Sequence, residues 1–401
     1  MNQPSDGPGR AHVVTITAAH CASAFAALGL PPYLPRLLPE LGDPNARWAG
    51  LLYVLPTLCT ALAAPVWGRL ADRHGPKLLL VRAQFGLAVA FGLAAIAQNM
   101  TSLVIALIAQ GLLGGTYSAS TAYLAAGLRG PRLSGALALM QGSARTALAG
   151  APVLAGLLST MLDVRQMYGM ATLLPLAAAI ATLILPAPTG AGRSVRAAAE
   201  PTTARTGITV AGMCLAEGGF VLVTVITFPY FLPLAHQIAP GLAPVLIGLL
   251  FAAPHLCYLL ACAFTLRWLR GRARAGLTAG YALAAVSAAV HLFVAPGAGA
   301  LAWLVFGRLV LGAALALGLP SLSLLATEAA TGRRPGKLFG TVEAASKSGA
   351  VLAGVAASAL AGFGPAAPLA VPVVAGLALA AAVAGFTRPA PGPLIAPTTT
   401  S

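Results

Sequence analysis

Seven side chains that carry or can gain a charge stand inside long apolar runs of this 401-residue sequence: His20, Arg145, Glu217, His255, Arg308, Glu343 and Lys347. An ionisable group is expensive in an apolar medium and persists there only beside a partner or water, so each marks a candidate site. The chemistry they offer is binding and proton exchange. Three fixed cations (Arg145, Arg308, Lys347) face two carboxylates (Glu217, Glu343), with His20 and His255 titratable. That balance favours an anionic or zwitterionic ligand, held by Arg145, Arg308, Lys347 and His20. Glu217 and Glu343 are the candidate proton carriers, Glu217 first. No His-rich, Asp-rich or Gly-x-Ser-x-Gly constellation occurs, so no enzyme, catalytic residue, metal or cofactor is expected. The chain also lacks a nucleotide-binding loop, which leaves an ion gradient as the expected energy source.

Some of these residues are related by position. Arg145 and Lys347 lie 202 residues apart in the similar stretches "QGSARTALAG" and "EAASKSGAVLAG", and His20 and Glu217 lie 197 apart. Each also has a plainer reading. Glu343 and Lys347 are at i and i+4, a spacing that suits a private helix salt bridge. Arg308 could cap backbone carbonyls, and His255 could be a packed residue between helices.

The elements that must carry these residues follow from composition. Hydrophobic residues make up 58% and charged residues 8%, with 45 Gly and 31 Pro. A water-soluble chain carries about 25% charge. The deficit implies that most of the surface meets lipid, and the long Ala-, Leu- and Gly-rich runs imply helices rather than a barrel. Twelve spans are expected, near 12–34, 47–67, 78–98, 101–126, 136–161, 167–186, 207–234, 243–266, 276–295, 299–327, 338–361 and 366–386. The fold class is therefore all-α transmembrane, with a six-helix bundle over 1–186, a polar linker at 187–206 and a second six-helix bundle over 207–401. The first run could pass for a signal peptide, but it continues to Leu34 and reads as an uncleaved span. Cys21, Cys59, Cys214, Cys257 and Cys262 all fall in apolar runs without metal-ligand spacing and read as packing residues.

The net charge of +15 belongs to orientation before nucleic acid, and no nucleic-acid partner is expected. With both termini in the cytoplasm, 18 of the 24 Lys and Arg fall on that side, and only Arg36, Arg47 and Arg165 on the other. The two bundles look like a duplication. "WAGLLYVLPTLC" at 48–59 and "LIGLLFAAPHLC" at 246–257 share Gly50/Gly248, Leu51/Leu249, Leu52/Leu250, Pro56/Pro254, Leu58/Leu256 and Cys59/Cys257. "PPYLP" ending span 1 pairs with "FPYFLP" ending span 7. An even number of spans per half makes such repeats parallel, about an axis along the membrane normal.

Between spans 2 and 3 stands "GRLADRHGPK", residues 68–77. With the 6+6 plan, it resembles the signature loop of the major facilitator superfamily. The resemblance implies a cytoplasmic latch built from Gly68, Asp72, Arg73 and Gly75. Pro76 departs from the usual basic residue, and the second copy, "RWLRGRARAG", has lost the Asp. In span 5, Gly142, Gly150, Pro152 and Gly156 resemble the antiporter signature of exporting branches, with Ala151 at a place usually held by Gly. "GRLVLGAALALG" in span 10 resembles the superfamily's span-4 Arg motif moved to the second half, while "LIAQGLLGG" in span 4 has Leu107 at the Arg place. The implied protein is a monomeric, proton-coupled secondary transporter of a bacterial-type inner membrane that exports a small polar or anionic metabolite. The "ALGLPPYLP" and span 2 stretches look most like siderophore exporters. The alternatives are a multidrug efflux antiporter and an organic-acid importer, or, from another class, a membrane sensor.

Overall fold

The computed structural model describes residues 9–128, 130–188, 209–330 and 335–385, and every regular element in them is helical. Helix α1 (Arg10–Gly29) continues through tight turns and the short α2 (Leu34–Leu37) to Leu41. The rest of the first half is α3 (Ala49–His74), α4 (Pro76–Ala95), α5 (Met100–Leu113), α6 (Thr116–Gly127), α7 (Gly130–Leu158) and α8 (Val164–Ile184). The second half comprises α9 (Val210–Val225), α10 (Phe231–Ile238), α11 (Pro244–Trp268), α12 (Ala273–Phe293), α13 (Ala300–Ala330), α14 (Pro335–Leu360) and α15 (Ala370–Gly385). Most of the 187–206 linker lies outside the described residues, as do the surroundings of Gly68 and the side chain of Asp72.

Ten of the described helical runs are long and apolar enough to cross a membrane. α9 is apolar but only 16 residues long, and α7 has the length but carries Arg132, Gln141 and Arg145. With these two, helices stand at all twelve expected places. Leu260 is 87% exposed and Phe264 70%. Side chains of that kind face outward where the solvent is hydrocarbon.

Two spans differ from expectation. The stretch 101–126 is not one helix, because the chain breaks at Gly114 and Gly115, where Gly115 has φ of 83°. The stretch 207–234 ends as a helix at Val225, since Pro229 offers no N–H to continue it. The Thr227 hydroxyl donates to the Thr224 carbonyl at 2.7 Å through the turn that follows.

Small residues let the helices approach, as expected where lipid supplies no hydrophobic drive for association. Gly50 of α3 lies against the backbone of Gly354 in α14, and Gly248 of α11 lies against Pro152 in α7. Inside the first half, Gly111 packs on Pro56 and Cys59; inside the second, Gly312 packs on Pro254 and Cys257. The sequence repeat therefore reappears as the same contacts made twice, in two pseudo-symmetric bundles.

Candidate functional site

A cavity of about 420 Å³ opens between the bundles. The first half supplies nearly all of its wall, including His20 and Ala24 from α1, Tyr53, Pro56, Thr57 and Thr60 from α3, and Gln141 from α7. Gln110 lies on the wall just before the Gly114–Gly115 break, and Thr116 and Tyr117 just after it. The second half contributes Glu343 and Lys347 of α14. His20 is 3% exposed and its ring rests on that of Tyr117, with centroids 5.4 Å apart. Neither His20 ring nitrogen has a hydrogen-bond partner. The Gln141 amide donates to the Tyr117 hydroxyl at 2.7 Å. Lys347 Nζ lies 3.5 Å from Glu343 Oε1, so the expected i,i+4 pair is formed and sits on the cavity wall.

Arg145 and Glu217 are not among the residues lining this cavity. The Arg145 guanidinium stands 5.2 Å from the centre of the Tyr258 ring of α11, a cation–π contact across the two halves. Glu217 lies on α9 where Gly218 meets Gly349 of α14; Ser346 donates toward its carboxylate, and Arg145 and Glu343 are within electrostatic range. The structure thus brings His20, Glu343 and Lys347 to one cavity and sets Arg145 and Glu217 in a neighbouring polar cluster between α7, α9, α11 and α14.

Arg308 is placed elsewhere. It is 1% exposed in α13, and Nε donates to the Leu250 carbonyl at 2.8 Å while Nη2 donates to the Phe251 carbonyl at 2.7 Å. Pro254 has no N–H to give the Leu250 carbonyl four residues before it, and the arginine supplies that missing donor. Its guanidinium is 4.1 Å from the Phe231 ring centre, which covers its face. The position expected to bind ligand is thus occupied in capping a proline break, the alternative reading of that residue. His255 is 1% exposed between Phe228 and Phe251, away from the cavity wall.

One end of the cavity is closed by contacts between the halves. The Tyr230 hydroxyl accepts from the Gly50 N–H at 3.2 Å and donates to the Arg47 carbonyl at 2.8 Å. The Ser358 hydroxyl accepts from the Leu51 N–H at 2.7 Å. These groups border the loops that follow spans 1, 7 and 11, where the two glycine crossings also lie. At the other end, Gly75 joins α3 to α4 with φ of 84°, and Arg73 is exposed. Among the described residues, no three His, Cys, Asp or Glu side chains come together in a way that could hold a metal.

Sequence reasoning did not single out Tyr117, Gln141, Tyr53 or Tyr258. A weak signal existed for two of them: Tyr117 follows a Gly-Gly pair, and Gln141 is one helical turn before Arg145. Tyr53 and Tyr258 meet their partners only through long-range packing.

Residues 16–238 match the sequence profile of the Major Facilitator Superfamily. Multidrug resistance protein MdtG of Proteus mirabilis (strain HI4320) is 34% identical over 142 residues, 34% of this chain and 35% of that protein. MdtG of Enterobacter lignolyticus (strain SCF1) is 34% identical over 163 residues, 39% of each chain. The chain thus matches little more than a third of the length of these relatives. Among solved structures, the nucleoside transporter NupG superposes with a TM-score of 0.76 at 12% identity, covering 94% of this chain and 100% of that one. The human organic anion transporter MFSD10 (TETRAN) gives 0.66 at 17% identity, covering 95% and 100%. The profile spans more than half of the chain, the superposed structures share its fold over nearly all of it, and the repeat runs through both bundles: the chain belongs to the Major Facilitator Superfamily of membrane transporters.

Proposed function

We propose that the protein is a proton-coupled efflux transporter that moves small amphipathic molecules through the cavity between its two bundles, with both termini in the cytoplasm of a bacterial-type cell. The cavity carries this reading: it mixes the aromatic faces of Tyr53 and Tyr117 with a few separated polar groups, which suits ligands with an apolar body and one polar head. The partial similarity to the MdtG multidrug resistance proteins supports export of this broader kind. The narrower expectation of a siderophore rests on short stretches of spans 1 and 2 and draws no support from these relatives. Asp72, Arg73 and Gly75 are proposed as a latch whose loss shifts the balance between conformations without touching the cavity.

Glu217 is the proposed coupling residue, because it stands beside the bundle interface with both Arg145 and Glu343 in range. The test is flux of a fluorescent drug in reconstituted vesicles under an imposed proton gradient. Glu217→Gln should retain drug binding and lose gradient-driven export, since the binding wall is intact while the proton cycle stops. Export by Glu217→Gln with the wild-type dependence on the gradient would remove Glu217 from that role.

A further inference from the structure

The break in the middle of span 4 puts the start of a helix where a membrane protein seldom exposes one. α6 begins at Thr116, has no side-chain cap, and follows Gly115 in a left-handed conformation. Its first N–H groups have no carbonyl of their own helix to reach, and the aligned peptide dipoles leave partial positive charge at that end. The α6 start is on the cavity wall, because Gly114, Gly115, Thr116 and Tyr117 all line it. The carbonyl side of the break is already satisfied. Trp67 Nε1 donates to the Leu112 carbonyl at 2.7 Å, and Arg82 Nη1 donates to the Leu113 carbonyl at 2.8 Å. No comparable side-chain bond is made to the N–H side.

Three further donors face the same space. His20 is almost wholly buried, lies against Tyr117, and has both ring nitrogens unpartnered. A neutral imidazole always carries one N–H, so the cavity wall holds a buried donor with no acceptor to meet it. Lys347 contributes a full charge, held only loosely by Glu343 at 3.5 Å, and the Glu343 side chain is 62% exposed. Gln141 adds an amide. Buried polar groups are rarely left unpaired, and of the two His20 nitrogens the N–H is the one an oxyanion would satisfy.

We infer that the broken span 4 is an anion-binding site, in which the start of α6, His20 and Lys347 together hold the oxyanion head, such as a carboxylate or sulfonate, of a transported molecule. This rests on the cavity being the transport site and gives that site its ligand class. The apolar body of the molecule would lie on Tyr53 and Pro56, and Glu343 would be the carboxylate that the incoming anion displaces from Lys347.

The test uses the full chain in phosphatidylcholine nanodiscs, whose zwitterionic headgroups carry no net charge, with the matched probes 1-naphthoate and 1-naphthamide. The expected result is naphthoate binding about tenfold tighter than naphthamide, the scale of a charge-assisted hydrogen bond. Glu343→Gln should tighten naphthoate by removing the competitor and leave naphthamide unchanged. Lys347→Met and His20→Leu should each reduce the preference for naphthoate without abolishing it, since the helix start remains. Equal affinity for the two probes would overturn the inference alone and leave the cavity as a neutral binding site. A preference wholly abolished by Lys347→Met would also overturn it, by reducing the site to a single lysine. Failure of both probes to bind would count against the cavity itself, and so against the transport reading as well.

Discussion

Span 4 and span 10 occupy equivalent places in the two bundles, yet they are built in opposite ways. α13 runs unbroken for 31 residues, and its Arg308 is spent on the Leu250 carbonyl freed by Pro254 and on that of Phe251 beside it. In the first half the matching place is Leu107, which offers no donor, and the helix breaks seven residues later at Gly114 and Gly115. Around Pro56 the Thr60 hydroxyl lies 2.8 Å from the Pro56 carbonyl of its own helix and 3.0 Å from the Gly111 carbonyl of α5. One half has therefore closed its proline break with a buried arginine. The other is interrupted in span 4 at Gly114 and Gly115, and the cavity lies beside that interruption. In the duplicated frame one half spends its buried arginine on backbone carbonyls, while the other lines the cavity with polar groups.

The sharpest way to break this comparison is to make the second half resemble the first. Arg308→Leu copies the residue found at 107, leaves the Leu250 carbonyl without a donor and removes a second, charge-assisted bond from the Phe251 carbonyl. The unsatisfied carbonyl costs about 1–3 kcal/mol and the lost charged hydrogen bond about 1.5–3 more, so the folded protein should lose several kcal/mol. Thermal unfolding in detergent should show a large fall in midpoint and a poor yield of folded protein. An unchanged midpoint would mean that Arg308 is free to serve a ligand after all.

A smaller effect is expected where the halves cross. Gly354→Val places methyl groups against the Gly50 carbonyl and the Val54 side chain. Overpacking of this kind costs about 1–3 kcal/mol. Because the crossing joins the two bundles and is not internal to either, the strain should weaken the closed end more than it weakens folding. Flux in vesicles should fall about tenfold, the rate equivalent of that energy, while insertion is preserved. Unimpaired flux would show that closure at α3 and α14 is not needed in the cycle.

Much of this was legible in the sequence because membrane helices write their outlines in composition. The spans, the repeat, the i,i+4 pair of Glu343 and Lys347 and the list of charges within the spans all come from local pattern. Arg308 was legible as a charge needing an explanation, and capping was one of the two open to it. Which one holds depends on Pro254, 54 residues earlier, being packed beside it. The break at Gly115 was hidden for a different reason. "LLGGTYSAS" continues the apolar run, and glycine is tolerated in membrane helices for close packing, so only the positive φ separates a break from a contact. Arg145 was grouped with Lys347 by sequence symmetry, but it faces Tyr258, an encounter across the two halves that no local spacing reports.

The division between the halves is tested most directly at one symmetric pair, Thr57 and His255, which the repeat aligns at an offset of 198. Thr57 lines the cavity, whereas His255 is sealed among Phe228 and Phe251. In a background with the five native cysteines replaced, Thr57→Cys and His255→Cys would each be exposed to N-ethylmaleimide and labelling rates measured by mass spectrometry. The division predicts rapid alkylation at position 57 and almost none at 255. Equal rates at the two positions would contradict it, because both halves would then open alike to the central path.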